Sequence, residues 1–137
     1  MSVPFHYVDL RTFSYGTEDD DRVEAALREF LPEDAPVDRT ASTGHNGDEI
    51  VVYSTRLERA EEVRHVLDRL RSGADVERIR SELDDRIDED NALFVHLDKQ
   101  AAYEGEARLG EGIALRAKVE AYPATREAAL ENAREAL

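Results

Sequence analysis

The chain has 137 residues, 18 basic and 32 acidic, and a formal net charge of −14. One domain is expected, since two would each have too little core. The absence of cysteine excludes disulfides and thiolate zinc sites, and no stretch approaches the ~20 apolar residues of a membrane span.

Residues 3–15, VPFHYVDLRTFSY, are rich in aromatic and β-branched residues and predict a strand that Gly16 breaks. Thr17 is placed to cap a helix whose Val23, Ala26, Leu27, Phe30 and Leu31 share one face, and Pro32 ends it. A weak strand over 37–43 and a good one over 49–57 flank Asn46-Gly47, which suits a primed hairpin turn. Ala60, Val63, Val66, Leu67 and Leu70 predict a helix over 59–71, closed by Gly73. Val76, Ile79 and Leu83 mark a shorter one, and DDRIDEDN (84–91) reads as a solvated acidic loop. ALFVHLD (92–98) and IALRAKVEA (113–121) are strands, with a turn and a short strand over 104–109 between them. Pro123 suits the first turn of a final helix. Its Ala128, Ala129, Leu130 and Leu137 could form a homodimer face, although packing on its own sheet is the simpler use. The expected fold class is α+β over 1–137: a two-layer sandwich, its sheet mostly antiparallel and its helices on one face.

Charge and compartment read together. The N-terminal MSVPFHYVDL lacks the basic region of a secretory signal, so a cytoplasmic location is expected. Only two lysines accompany sixteen arginines. Such an acidic, lysine-poor composition fits a salt-accumulating cytoplasm, where screening removes self-repulsion. The acidity is uneven: residues 1–90 carry 12 basic against 24 acidic side chains, and 91–137 carry 6 against 8.

Strict alternation then assigns faces. Ile113, Leu115, Ala117 and Val119 point to the core, so Arg116, Lys118 and Glu120 point to the open face. On 92–98, Leu93, Val95 and Leu97 point inward and Phe94, His96 and Asp98 outward. With Val8 and Leu10 inside, Phe5, Tyr7, Asp9, Arg11 and Phe13 face out. Aromatic platforms interleaved with cations bind single-stranded nucleic acid, whereas an ordinary solvated face would carry cross-strand ion pairs such as Lys118 with Asp98.

The stretches FHYVDLRTFSYGTED, STGHNGDEIVVYSTRLE, LFVHLDKQAAYEG and LRAKVEAYPATRE carry a resemblance that extends over essentially the whole chain. They resemble the archaeal family of small RNA-binding proteins described as predicted exosome subunits, and the composition resembles that of haloarchaeal members. That family is similar in fold to the large-subunit ribosomal protein that binds 5S rRNA. The resemblance implies RNA as partner, exosome or ribosomal proteins as associates, and a role in RNA processing without catalysis. The matching positions are His6, Arg11, Gly44, Gly47, Lys99, Gln100, Arg116 and Lys118. With the aromatic residues of the open face, the candidate RNA-binding residues are Arg116, Lys118, Lys99, Gln100, Arg11, His96, Tyr7 and Phe94.

The competing chemistries lack a motif. His6, Asp9, His96 and Asp98 could supply acid–base groups, but no HExxH, CxxC or nucleophile elbow occurs. Residues 84–91 lack the glycine and closing glutamate of a calcium loop, so neither a metal nor a cofactor is expected. The alternative to RNA binding is a docking module of a larger protein assembly.

Overall fold

The computed structural model describes residues 4–44 and 47–137. The elements run β1 (Phe5–Ser14), α1 (Asp20–Arg28), β2 (Asp38–Thr43), β3 (Glu49–Leu57), α2 (Ala60–Ser72), α3 (Val76–Ser81) and α4 (Leu83–Arg86). They continue with β4 (Ala92–Asp98), α5 (Lys99–Tyr103), β5 (Gly112–Val119) and α6 (Arg126–Ala136). The five strands form one antiparallel sheet in the order β2-β3-β1-β5-β4. Helices cover one face and the other is open, as the α+β sandwich reading expects.

The core lies between sheet and helices. Val8, Leu10, Leu93, Val95, Leu97, Ile113, Leu115, Ala117 and Val119 are each at most 3% exposed. They meet Leu27 and Phe30 beside α1, Val63 and Val66 of α2, and Ala129 and Ala133 of α6 in one cluster. Each fully buried leucine or phenylalanine contributes roughly 1.5–3 kcal/mol of transfer free energy. The last helix therefore spends its alanine stripe inside its own domain. β1 continues its inward alternation with Thr12 and Ser14, buried polar residues that find partners. Thr12 Oγ1 donates to the Gly112 carbonyl and Ser14 Oγ to Asp20 Oδ1, each at 2.7 Å. A satisfied hydroxyl removes most of the penalty of burying it.

Several local expectations change. Phe5 does not face out: it is 3% exposed. The register against β5 slips between Phe5 and Tyr7, which reverses the alternation and turns the ring inward. Asp19, not Thr17, caps α1, accepting from the Asp21 and Arg22 amides. The segment after β4 is the short helix α5, and the expected strand over 104–109 reduces to a single bridge between Leu97 and Leu109. Asp98 causes this, because its carboxylate accepts the Ala101 amide at 2.8 Å and starts a helical turn. Thr125, not Pro123, opens the last helix; the Tyr122–Pro123 peptide is cis and precedes it. The acidic stretch is partly ordered as α4, and Asp88 accepts the Asp90 and Ala92 amides at 2.9 Å. The β2–β3 pairing ends at Thr43 opposite Glu49, so the connection spans 44–48 and is longer than a two-residue turn. Asn46 lies outside the described residues, and Gly47 has φ +84°.

Candidate nucleic-acid interface

Register decides which side chains meet on the open face. Arg116 stands opposite Phe94 on β4 and opposite Asp9 on β1, and Asp9 stands opposite Arg56 on β3. Lys118 faces Tyr7 across β5–β1, and Ala114 separates His96 from Arg11. One transverse row therefore reads Phe94, Arg116, Asp9, Arg56, with Tyr7 and Lys118 on one side and His96 and Arg11 on the other.

The side chains are knitted together. Arg116 NH1 donates to the Tyr7 hydroxyl at 2.6 Å, and its guanidinium carbon lies 5.5 Å from the Phe94 ring centre. The Arg56 guanidinium stacks 4.0 Å above the Tyr7 ring and is held by both Asp9 oxygens, at 2.7 and 2.9 Å. The Asp9 carboxylate raises the Arg56 pKa still further, so this cation is permanent. Arg11 lies 5.4 Å from the Phe13 ring centre. Lys118 Nζ donates to the Asp90 carbonyl. Among the described residues, Arg11, Arg116 and Lys118 have no carboxylate within ion-pair distance. In a chain of charge −14, three cations without a carboxylate on one face make that face locally positive. A depression of about 410 Å³ opens on this face, and Asp9, Arg11, Asp38, Arg56, Phe94 and Arg116 are among the residues that line it.

Six of the eight sequence candidates thus share the open face: Tyr7, Arg11, Phe94, His96, Arg116 and Lys118. Lys99 and Gln100 sit apart, where β4 runs into α5. Lys99 Nζ donates to the Phe13 carbonyl at 2.9 Å and pairs with Glu18 Oε2 at 2.7 Å. Burial opposes ionisation of Glu18, but the Lys99 ammonium and the Tyr15 amide outweigh it and hold its carboxyl below the usual range. Gln100 Nε2 bonds Glu104 Oε1 along α5 at 3.2 Å. Lys99 therefore ties the end of β1 to the loop before α1. The expected Lys118–Asp98 pair does not form, since Lys118 stands opposite Ala92 and Asp98 opposite Gly112.

Arg56 is the member of this row that sequence reading missed. Val51, Tyr53, Thr55 and Leu57 alternate inward, which assigns Arg56 to the other face. The signal is masked because Ile50 and Val52 make that face partly apolar too. His6 lies beside Glu120, Nδ1 to Oε2 at 3.7 Å, and does not meet Asp9. Asp98 is engaged in capping, so it and His96 form no acid–base couple. Among the described residues, no group of three or more His, Asp or Glu could hold a metal ion. Likewise no described helix is long and apolar enough to cross a membrane.

Comparison with known proteins identifies the family. A family model described as RNA binding matches residues 7–119. The RNA-binding protein PAB1135 of Pyrococcus abyssi is 32% identical, over 95% of this chain and 92% of its own length. The solved structure of AF2318 from Archaeglobus fulgidus is 32% identical with a TM-score of 0.85, covering 97% of this chain and 99% of that one. Mth689, a DUF54 protein from Methanothermobacter thermautotrophicus, is 39% identical with a TM-score of 0.77, covering 97% and 98%. Both likenesses span nearly the full length of each partner, and the matched segment contains all eight candidate residues: the chain belongs to this archaeal RNA-binding family.

Proposed function

We propose that the protein binds RNA non-catalytically through the open face of its sheet, with Arg116 at the centre of the contact. One observation carries the reading: Arg116, Arg11 and Lys118 lack carboxylate partners in a chain where acids outnumber bases 32 to 18. With no carboxylate partner among the described residues, these cations fit an anionic ligand. Phe94 and the Arg56–Tyr7 stack supply planes on which bases rest. Phosphates go to the guanidiniums, which offer paired donors in a plane. The cellular setting we infer is RNA processing or ribosome-associated work in a salt-rich cytoplasm. There counterion release is weak and stacking carries more of the affinity.

The test is fluorescence anisotropy with labelled cellular RNA in concentrated KCl. Replacing Arg11 and Arg116 together by alanine is expected to weaken binding at least tenfold, at ~1.5–3 kcal/mol per charge-assisted hydrogen bond. Unchanged binding by a folded double variant would refute the reading.

A further inference from the structure

Phe94 is shared by two depressions. One is the cationic basin on the sheet face. The other, of about 510 Å³, passes over the outer edge of β4 and is lined by Arg78, Asp85, Phe94, His96, Leu109 and Glu111. β4 is an edge strand. Among the described residues its outer side is bridged at Leu93, by Ile87, and at Leu97, by Leu109, and the His96 carbonyl accepts the Gly110 amide at 3.1 Å. Between those contacts no strand lies beside Phe94. Phe94 is also the most exposed of the four phenylalanines, at 37%.

The two depressions differ in charge. The sheet basin holds Arg11, Arg56 and Arg116 against Asp9 and Asp38. The edge depression balances Arg78 and Arg86 against Asp85 and Glu111, and Glu82 binds both arginines, at 3.4 and 2.7 Å. A phosphate gains little there. A neutral ring carrying donors and acceptors gains more, because carboxylates, guanidiniums and an imidazole converge beside an aromatic ring and Leu109. Phosphate contacts position a nucleic acid and base contacts select it.

Resting on the sheet-face reading above, we propose that the edge depression holds one unpaired nucleobase, so that the bound RNA crosses the β4 edge at Phe94. The phosphate side of the strand lies on Arg116 and Arg11, and the base turns over Phe94 into the space beside Arg78 and His96. A base locked in a duplex cannot make that turn, so the ligand is single-stranded or carries a splayed base.

The experiment uses a short single-stranded RNA carrying a fluorescent adenine analogue and a hairpin duplex of the same composition, both in concentrated KCl. Wild type is expected to prefer the single strand about tenfold and to quench the analogue on binding. Phe94→Ala should lose the quenching and about tenfold in affinity, the size of one base–aromatic stack at ~1–3 kcal/mol. Phe94→Tyr should restore both. Arg78→Ala, which alters only the edge depression, should weaken single-strand binding several-fold and leave duplex binding unchanged. Equal affinity for duplex and single strand would overturn the edge site. So would wild-type binding by both Phe94→Ala and Arg78→Ala while Arg116→Ala is weakened, and the sheet reading would stand. Loss in the two edge variants with Arg116→Ala unchanged would support the edge site and overturn the sheet reading. No RNA binding by the wild type would overturn both.

Discussion

Arg56 is held by Asp9 through two hydrogen bonds, at 2.7 and 2.9 Å, while Arg116, on the other side of Asp9 in the same row, donates to the Tyr7 hydroxyl and to no carboxylate among the described residues. The single carboxylate in the row therefore neutralises one guanidinium and leaves its neighbour available. It also orients Arg56 flat over Tyr7.

Asp9→Asn should tighten RNA binding, because it releases the Arg56 charge and removes an anion from the surface. The salt slope, measured by titrating KCl against affinity, should steepen by about one unit as one more phosphate is neutralised. Stability should change little, since the pair is substantially exposed. Weaker binding in Asp9→Asn would mean that orienting Arg56 matters more than its charge.

Arg116→Lys should lose about tenfold in RNA affinity although the charge is kept. A lysine cannot place donors on both Tyr7 and a ligand oxygen in one plane, nor stack on Phe94. Lys118→Arg should bind within about twofold of wild type, because Lys118 acts as a point charge anchored on the Asp90 carbonyl. Equal effects of the two exchanges, measured at the same KCl concentration, would contradict the distinction.

The Glu18–Lys99 link gives a pH signature. The Glu18 carboxyl is held below its ordinary value of 4.5 in the folded state. Its contribution to stability is therefore complete above the unfolded value and is lost as pH falls through the lowered folded value. The stability difference between wild type and Glu18→Gln, from denaturant titrations, should be constant near neutrality and shrink below about pH 4.5. A difference that grows on acidification would reverse the sign and exclude the link.

Folding should depend steeply on salt. With a net charge of −14, self-repulsion is unscreened at low ionic strength. It falls as the Debye length shrinks from ~10 Å at 0.1 M to ~3 Å at 1 M. The melting temperature should rise across that interval while RNA affinity falls, and a flat melting curve would remove the electrostatic account.

The faces of β4 and β5 could be read from the chain alone. Side chains alternate with a period of two, a local property of an extended backbone, so Phe94, His96, Arg116 and Lys118 are assigned outward without any partner strand. The helical stripes of α1 and α2 follow equally from local spacing, with Val23, Ala26 and Leu27 on one and Val63, Val66, Leu67 and Leu70 on the other. Strand order and register are another matter. They are fixed by hydrogen bonds between residues as far apart as Tyr7 and Lys118, which no local window contains. Only the order β3-β1-β5-β4 sets Arg56 on Tyr7, Asp9 between two arginines, and Arg116 against Phe94. The same long-range fit turned Phe5 inward through a register slip, where side-chain pattern alone had placed it outward, and set Lys99 against Glu18, away from the open face. Composition supplied a scarce set of cations; tertiary packing selected which of them lack a carboxylate, because ion pairing depends on what stands within a few ångströms and not on what stands next in the chain.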